Sequence, residues 1–304
     1  MFRERLYAGG VKVAAGPFAE LRRYVSREFF ETFSLLRERH GWVLRELHEL
    51  SSIENADVLL FWESYDAVIR HAHRAKRICV MTDDLHGDRY PMAQALALAD
   101  RVLSTYAPCI ADFFPSLHSS HVAWTPHAAS SDFLFDVNES PRNVVFVSGA
   151  MSAKYPLRRL MLELANRRPD IAQIHEHPGY RTDFDYDTDA RIGRGYAESM
   201  HGCLAAFTDA LQYRYVVAKH FEIPATGALL IADRAMSSQL AQLGFDDGVH
   251  YVSASASDLE EVIDRVRDPQ NREHIDAIRR RGHALVHQRH TTERRAREID
   301  TACA

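Results

Sequence analysis

The segment 213–233 restricts the fold of this chain most, because a helical pattern there passes directly into a short apolar run. Lys219 and Glu222 are three residues apart, which places both side chains on one face of a helix. Gly227 follows, and glycine often ends a helix because it adopts positive φ without steric cost. Residues 228–231 are all apolar, as in a buried strand of a parallel sheet. This junction predicts an α/β protein with a ligand site beside the helix.

The same alternation of apolar runs and helical patterns extends along the rest of the sequence. Strands are predicted at 11–15, 42–47, 56–62, 77–81, 102–104, 121–125, 143–148, 171–174 and 203–207. Helices are predicted at 17–39, 64–76, 91–99, 156–166, 194–200, 237–243, 257–267, 270–287 and 291–301. Alternation of this kind implies parallel sheets with helices on both faces.

Residues 131–142 interrupt this alternation. They are rich in polar turn formers and include Pro141, which is typical of a linker. A chain of 304 residues is long enough for two domains of ordinary size. The sequence therefore predicts an N-terminal domain over 1–138 and a C-terminal domain over 139–304, each with the α/β pattern.

The composition restricts both the partners and the compartment. The chain is 46% hydrophobic and 26% charged, as expected of a globular protein with a substantial core. A formal net charge of -5 gives no reason to expect nucleic acid as a partner. The first residues lack the apolar core of a signal peptide, and no apolar run approaches the length of a membrane span. We therefore expect a cytoplasmic protein without a transmembrane segment, with peripheral membrane contact left open.

The cysteines and histidines do not form a recognisable metal motif. The four cysteines are far apart and are interpreted as reduced thiols, which suits the cytoplasm. Several histidines occur in close pairs, but without the cysteine or carboxylate neighbours of known metal sites. The sequence therefore predicts neither a metal site nor a bound cofactor.

Residues 149–158 have the pattern of an anion-binding turn. A predicted strand ends before Gly149, and Pro156 has the features of a first helical position. The N-terminus of a helix presents free N–H groups and a positive dipole end, and Lys154 and Arg158 add positive charge. A diphosphate would fit such a turn. The alternative is an ordinary strand–helix connection with surface cations.

The stretch KHFEIPATGALLIADR, residues 219–234, resembles the donor-site signature of glycosyltransferases of the GT-B fold. It is most similar to the group that includes spore-maturation-type glycosyltransferases, whose pattern is approximately Lys-x-Phe-Glu-x-x-Ala-x-Gly, then an apolar strand and Asp. The resemblance covers about 143–300. In the first half it depends on the order of elements and on the sequences DDLH and WTPHA. It implies two Rossmann-like domains with parallel sheets facing a central cleft.

The resemblance also implies roles for individual residues. Glu222 would bind the ribose of a sugar nucleotide, while Lys219 would either pair with Glu222 or contact a phosphate. Related enzymes often have an earlier glutamate where this sequence has Arg214, which could instead contact a phosphate or sugar. Gly227 closes the motif. Residues 175–179 would border the nucleotide base.

The candidates for acceptor activation follow strands of the first half. The sequence Asp-Asp-Leu-His, residues 83–86, comes after a predicted parallel strand, where ligands bind in open α/β sheets. Asp84, or else His86, could act as the general base for an acceptor hydroxyl. Alternatively, these residues cap the next helix. His127 follows a comparable strand and is a further candidate.

These observations together predict a metal-independent glycosyltransferase of the hexosyltransferase type. The nucleotide sugar would be a donor substrate and not a cofactor, and it would bind the C-terminal domain. The acceptor, a glycan, a lipid-linked molecule or a small molecule, would bind the N-terminal domain. The alternatives are a sugar-nucleotide epimerase or hydrolase of the same fold, and a non-catalytic sugar-nucleotide-binding partner protein.

Overall fold

In the computed structural model the chain forms two compact α/β units. The structure describes residues 12–16, 27–87, 89–150, 152–179 and 188–304. The first unit comprises Met1–Pro126 and Thr292–Ala304, and the second comprises His127–Thr291. Both units are built on parallel sheets, as the alternation of strands and helices predicts.

The first unit contains a six-stranded sheet. Its strands are β1 (Lys12–Ala15), β2 (Val43–Arg45), β3 (Ala56–Trp62), β4 (Ala75–Thr82), β5 (Arg101–Ser104) and β6 (Val122–Trp124), in the order β2-β1-β3-β4-β5-β6. Every pairing is parallel. Within the described part of residues 1–126, its α-helices are α1 (Glu28–His40), α2 (Tyr65–His71), α3 (Arg89–Leu98) and α4 (Ile110–Phe113).

The second unit contains a five-stranded parallel sheet. Its strands are β7 (Arg142–Val147), β8 (Ala172–Ile174), β9 (Cys203–Thr208), β10 (Leu229–Asp233) and β11 (Val252–Ala254), in the order β11-β10-β9-β7-β8. Its helices are α5 (Pro156–Arg167), α6 (Gly193–His201), α7 (Lys219–Ala225), α8 (Ser237–Gln242), α9 (Leu259–Arg267) and α10 (Arg272–Arg289). Apolar side chains of β7, β9 and β10 form one core with those of α5, α9 and α10.

The last helix, α11 (Thr292–Cys303), belongs to the first unit. Its apolar side chains, Ala296, Ile299 and Cys303, are fully buried against α1 and the sheet. Trp42 Nε1 also donates a hydrogen bond to Asp300 Oδ1 at 2.9 Å. Burial of an aliphatic side chain of this size contributes about 1.5–3 kcal/mol, so these contacts fix the helix on this unit.

The division therefore differs from the predicted domains 1–138 and 139–304 at both ends. Residues 127–138 join the second unit, where the Ala129 N–H donates to His290 O at 2.8 Å and the Phe135 N–H to Ala225 O at 3.4 Å. These bonds connect segments far apart in the sequence, which local patterns do not reveal. The predicted terminal helix at 291–301 is present, but its apolar face packs on the first unit.

Most predicted elements are present, with differences at their ends. Strand β3 matches the predicted 56–62, and Pro156 opens α5 as predicted. The predicted helix at 17–39 is observed from Glu28 onward, while 17–26 and Val11 lie outside the described residues. The short strand β11 was not predicted. Its middle residue, Ser253, has a buried polar side chain, and the Ser253 hydroxyl donates a hydrogen bond to Asp247 Oδ2 at 2.6 Å.

Within the described residues, no helix is both long and apolar enough to cross a membrane.

Candidate functional site

The connection after β7 brings two cations against one glycine. Gly149 has φ of 109°, a conformation that favours glycine. A Cβ atom at this position would lie 2.6 Å from both Arg158 Nη1 and Lys219 Nζ. The main chain at Gly149 therefore contacts one cation from α5 and another from α7. This groups three of the predicted binding residues at the carboxyl end of the sheet.

Arg158 is held in place by a carboxylate that the sequence did not reveal. Arg158 Nη2 lies 2.8 Å from Asp209 Oδ1, and the Arg158 backbone N–H donates to Asp209 Oδ2 at 2.9 Å. Both side chains are almost completely buried. Burial raises the pKa of Asp209, while Arg158 opposes that shift. Asp209 thus satisfies an N–H group at the start of α5, where an external anion was predicted.

This buried pair is expected to be important for stability. Asp209→Ala leaves the Arg158 guanidinium buried without its carboxylate, so we expect the free energy of unfolding to fall by about 3–5 kcal/mol. Denaturant unfolding measures this loss. The double variant Arg158→Met/Asp209→Leu removes both charges and should recover most of the stability. A loss below about 1 kcal/mol in Asp209→Ala would show that the pair does not hold the turn.

Of the two cations at Gly149, Lys219 is the one that is available to bind a ligand. Its side chain is partly buried, and among the described residues it forms no hydrogen bond or ion pair. Burial, followed by the nearby Arg158 charge, lowers the pKa of Lys219 to about 8. Of the two contacts considered for Lys219, the ion pair with Glu222 is therefore not formed among the described residues, and contact with a phosphate stays a prediction. A desolvated ammonium beside a second cation favours an anionic ligand.

Glu222 lies on the same short helix, where it is 6% exposed. Gly227 ends this helix at φ of 80°, and its N–H donates to Pro224 O at 3.0 Å. A Cβ atom at Gly227 would lie 3.0 Å from Val137 Cα, so a side chain would also be crowded there. The predicted helix end is confirmed, and it gives Gly227 a structural role in placing α7.

Two histidines adjoin this site from within the second unit. His220 is completely buried, and its Nδ1–H donates to Val217 O at 3.0 Å. Burial lowers the pKa of His220 to about 4, so the ring is neutral. His127 is 6% exposed and, after burial, contributes to the lowered pKa of His220. The predicted candidate His127 therefore lies near His220.

Two other predicted binding residues, Lys154 and Arg214, are exposed, unlike the residues around Gly149. Lys154 is exposed, and within the described part of the chain its ammonium has no hydrogen-bond or ion-pair partner. Arg214 is exposed and lies before α7 at φ of 58°, where its carbonyl accepts a hydrogen bond from Gln239 Nε2. The helical pattern that starts near 213 is observed only from Lys219, so Arg214 and Glu222 are not on one helix.

The segment after β8 lies near the two cations. Burial, and then Lys219 and Arg158, lower the pKa of His177 to about 4. His177 Nδ1 accepts the Gly179 N–H at 3.0 Å. His175 Nε2–H donates to Arg191 O at 3.2 Å. Residues 175–179 thus adjoin the Lys219 region.

The first unit carries a separate group of carboxylates after β3 and β4. Asp83 Oδ1 accepts a hydrogen bond from Thr105 Oγ1 at 2.9 Å. Asp84 Oδ1 accepts the His86 N–H at 3.0 Å and also pairs with His86 Nδ1. These contacts show that Asp84 and His86 lie together, and that both aspartates stabilise the turn before α3.

Glu63 is the member of this group that the sequence analysis missed. Its Oε1 accepts the N–H groups of Asp83 at 3.2 Å and Asp84 at 3.1 Å. Burial, and then the Asp83 charge, raise the pKa of Glu63 to about 7. Its φ of 46° is uncommon for a residue other than glycine, and backbone outliers of this kind cluster at functional sites. The available signal was a lone glutamate directly after the strongest predicted strand.

The fold is that of GT-B glycosyltransferases. A crystal structure of Anabaena Alr3699/HepE with UDP-glucose aligns with a TM-score of 0.65 and 11% identity, over 95% of this chain and 98% of that one. A glycosyltransferase from Rickettsia africae aligns with a TM-score of 0.60 and 9% identity, over 97% and 98%. The pneumococcal O-GlcNAc transferase GtfA with UDP and GlcNAc aligns with a TM-score of 0.55 and 11% identity, over 84% of this chain and 58% of that one.

A family model matches part of the sequence, most of it in the second unit. Residues 158–301 match the model of a family described as glycosyl transferase-like. This match and the solved structures confirm the predicted GT-B fold and the resemblance to glycosyltransferases. No curated protein matches the chain in sequence. The narrower similarity to spore-maturation-type enzymes stays a prediction.

Proposed function

We propose that this protein is a glycosyltransferase that moves a sugar from a nucleotide-sugar donor to a hydroxyl acceptor. The observation that carries the proposal is the approach of Lys219 and Arg158 to the main chain at Gly149. In such a transfer the nucleoside diphosphate leaves with growing negative charge. Fixed cations that face this charge lower the barrier, because they need no reorganisation during the reaction.

The two cations have different tasks in this proposal. Arg158 is already neutralised by Asp209, so it holds the turn and directs Nη1 toward Gly149, where that nitrogen also donates to Ala150 O at 3.0 Å. Lys219 has no such partner in the described structure and would pair with the diphosphate directly. These positive charges provide a scheme that requires no metal ion.

Glu222 would bind the ribose, one helical turn from Lys219. A carboxylate can accept hydrogen bonds from both vicinal hydroxyls, and such charge-assisted bonds are stronger than neutral ones. Residues 175–179 would border the base. We take UDP as the first nucleotide to test, because the Anabaena and pneumococcal proteins of similar fold were crystallised with it. A hexose is the first sugar to test, for the same reason.

The acceptor would bind the first unit, and Glu63 would accept its proton. A general base functions best with a pKa near the working pH, and the pKa of Glu63 is about 7. Asp84 and His86 remain candidates beside it. The acceptor is proposed to be a glycan, a lipid-linked molecule or a small molecule. None of the four cysteines forms a disulfide, which supports a cytoplasmic location.

The ribose assignment provides the test of this proposal. Glu222→Gln should weaken UDP binding about tenfold to a hundredfold, because one charge-assisted hydrogen bond is lost. It should weaken binding of 2′-deoxy-UDP less, since that nucleotide lacks one of the hydroxyls. Calorimetry with both nucleotides measures the difference. Glu163→Gln, an exposed change on α5, is the matched control. If the wild-type protein binds no nucleoside diphosphate, the proposed function is wrong.

A further inference from the structure

A second cleft lies in the first unit, at the amino ends of β4 and β5. Its volume is about 750 Å³. Four arginines line it together with two carboxylates: Arg77, Arg101, Arg294, Arg297, Asp100 and Glu298. The whole chain has a formal net charge of -5, so a cleft with surplus positive charge departs from the overall balance. None of these residues belongs to the proposed donor site.

The fold directs these arginines into the cleft from three elements. On α11, Arg294, Arg297 and Glu298 lie on one face, because they are three or four residues apart. The opposite face of α11 is buried against α1 and the sheet. Arg77 comes from β4 and Arg101 from the first position of β5. The backbone positions of these arginines are thus fixed by elements that are themselves packed.

The two carboxylates of the cleft are already engaged. Asp100 Oδ2 accepts the Ile78 N–H at 2.7 Å. Glu298 pairs with the buried Arg295, and its Oε1 lies 3.9 Å from Arg294 Nε. Glu298 is thus shared between two arginines, and these two side-chain carboxylates do not balance the four arginines that line the cleft.

Two of the arginines have no carboxylate partner among the described residues. Arg101 Nη1 donates to the carbonyl oxygen of Ser120 at 2.8 Å, which holds its guanidinium group without neutralising it. Arg77 Nη1 donates to Cys303 O and to the main-chain oxygen of the last residue, Ala304. The Arg297 side chain has no hydrogen bond or ion pair within the described part of the chain. Each guanidinium has five N–H donors, so several donors in this cleft remain available.

We propose that this cleft binds a ligand that carries a phosphate group. Arginine forks match phosphate oxygens in geometry and charge, and several around one cleft suit a phosphorylated compound or a phospholipid headgroup. Strand β4 separates Arg77 from Asp83 by six residues, or roughly 20 Å, so the cleft is remote from the Glu63 carboxylates of the same sheet. The proposal does not depend on the proposed glycosyltransferase function.

The test uses inorganic pyrophosphate and lipid vesicles as probes. Calorimetry with pyrophosphate is carried out in saturating UDP, so that the proposed donor site is already occupied. Co-sedimentation compares vesicles of pure phosphatidylcholine with vesicles that also contain phosphatidylglycerol. Arg297→Glu is the principal variant, because this exposed side chain has no contact in the described structure whose loss would unfold the protein. Arg265→Glu, an exposed arginine of α9, is the matched control.

We expect the wild-type protein to bind at least one probe and Arg297→Glu to bind it roughly tenfold or more weakly. Arg265→Glu should bind as the wild type does. Binding to pyrophosphate identifies a soluble phosphate compound, and binding only to the anionic vesicles identifies a lipid headgroup. Binding should also weaken as ionic strength rises. No binding of either probe, or equal binding by Arg297→Glu and the wild type, would overturn the proposal.

Discussion

Replacing Glu63 by glutamine is expected to lower turnover about a hundredfold to ten-thousandfold while leaving nucleotide affinity nearly unchanged. A general base acts only in the transition state, so its loss should not affect donor binding. Glutamine keeps the oxygen that accepts the N–H groups of Asp83 and Asp84, and the turn should therefore stay folded. Steady-state kinetics with the best donor and acceptor measure the change.

The pH dependence of stability provides an independent check on Glu63. Its pKa in the folded protein is about 7, above the ordinary value of 4.5, so the folded state binds this proton more tightly. Stability should therefore fall as the pH rises from about 4.5 to about 7. Glu63→Gln removes this contribution and should be more stable than the wild type above pH 7.

The neighbouring carboxylate is the appropriate control. Asparagine at position 84 can still accept the His86 N–H, so Asp84→Asn should keep its turn. We expect near-normal transfer from Asp84→Asn. A large loss of turnover in Asp84→Asn, together with normal turnover in Glu63→Gln, would assign the base to Asp84.

Replacing Lys219 by methionine is expected to weaken UDP binding about tenfold to a hundredfold, while binding of uridine changes little. Only UDP carries the anion, and a hydrogen bond to a charged group contributes about 1.5–3 kcal/mol. Calorimetry with both ligands separates this loss from a folding defect. Lys154→Met is the matched control, because Lys154 is exposed. A loss in Lys154→Met but not in Lys219→Met would contradict the assignment.

The titration of Lys219 adds a pH signature to this prediction. Its pKa of about 8 lies below the ordinary 10.5, so the unfolded chain binds more protons between these values. The stability of the unliganded protein should therefore rise with pH over that range, and Lys219→Met should remove this rise. UDP affinity should fall above about pH 8, because the ammonium loses its charge.

The predictions that succeeded depend on local patterns. Strand β3 and the junction at Gly227 are specified by consecutive residues, so the sequence alone locates them. The 149–158 turn was also found, because a strand, a glycine and a helical proline are adjacent there. Local patterns of this kind predict where the chain turns, but not what its side chains meet.

The parts that were missed depend on contacts between distant residues. Arg158 pairs with Asp209, which is 51 positions away. The raised pKa of Glu63 arises from burial and from the charge of Asp83, which follows the neighbouring strand β4. Helix α11 is highly charged, and only its packing shows that it belongs to the first unit. At Gly149 the sequence predicts Lys154 and Arg158 as the nearby cations. The structure places Arg158 and Lys219 there, and Lys219 comes from a different motif.

The most direct test of the proposed function is release of nucleoside diphosphate from nucleotide sugars, measured with and without candidate acceptors. Wild-type protein and Lys219→Met should be compared over a panel that begins with UDP-hexoses. We expect the wild type to release the diphosphate from at least one donor in an acceptor-dependent reaction, and Lys219→Met to release it far more slowly. Equal release by the two proteins, or no turnover of any nucleotide sugar by the wild type, would contradict the proposed mechanism.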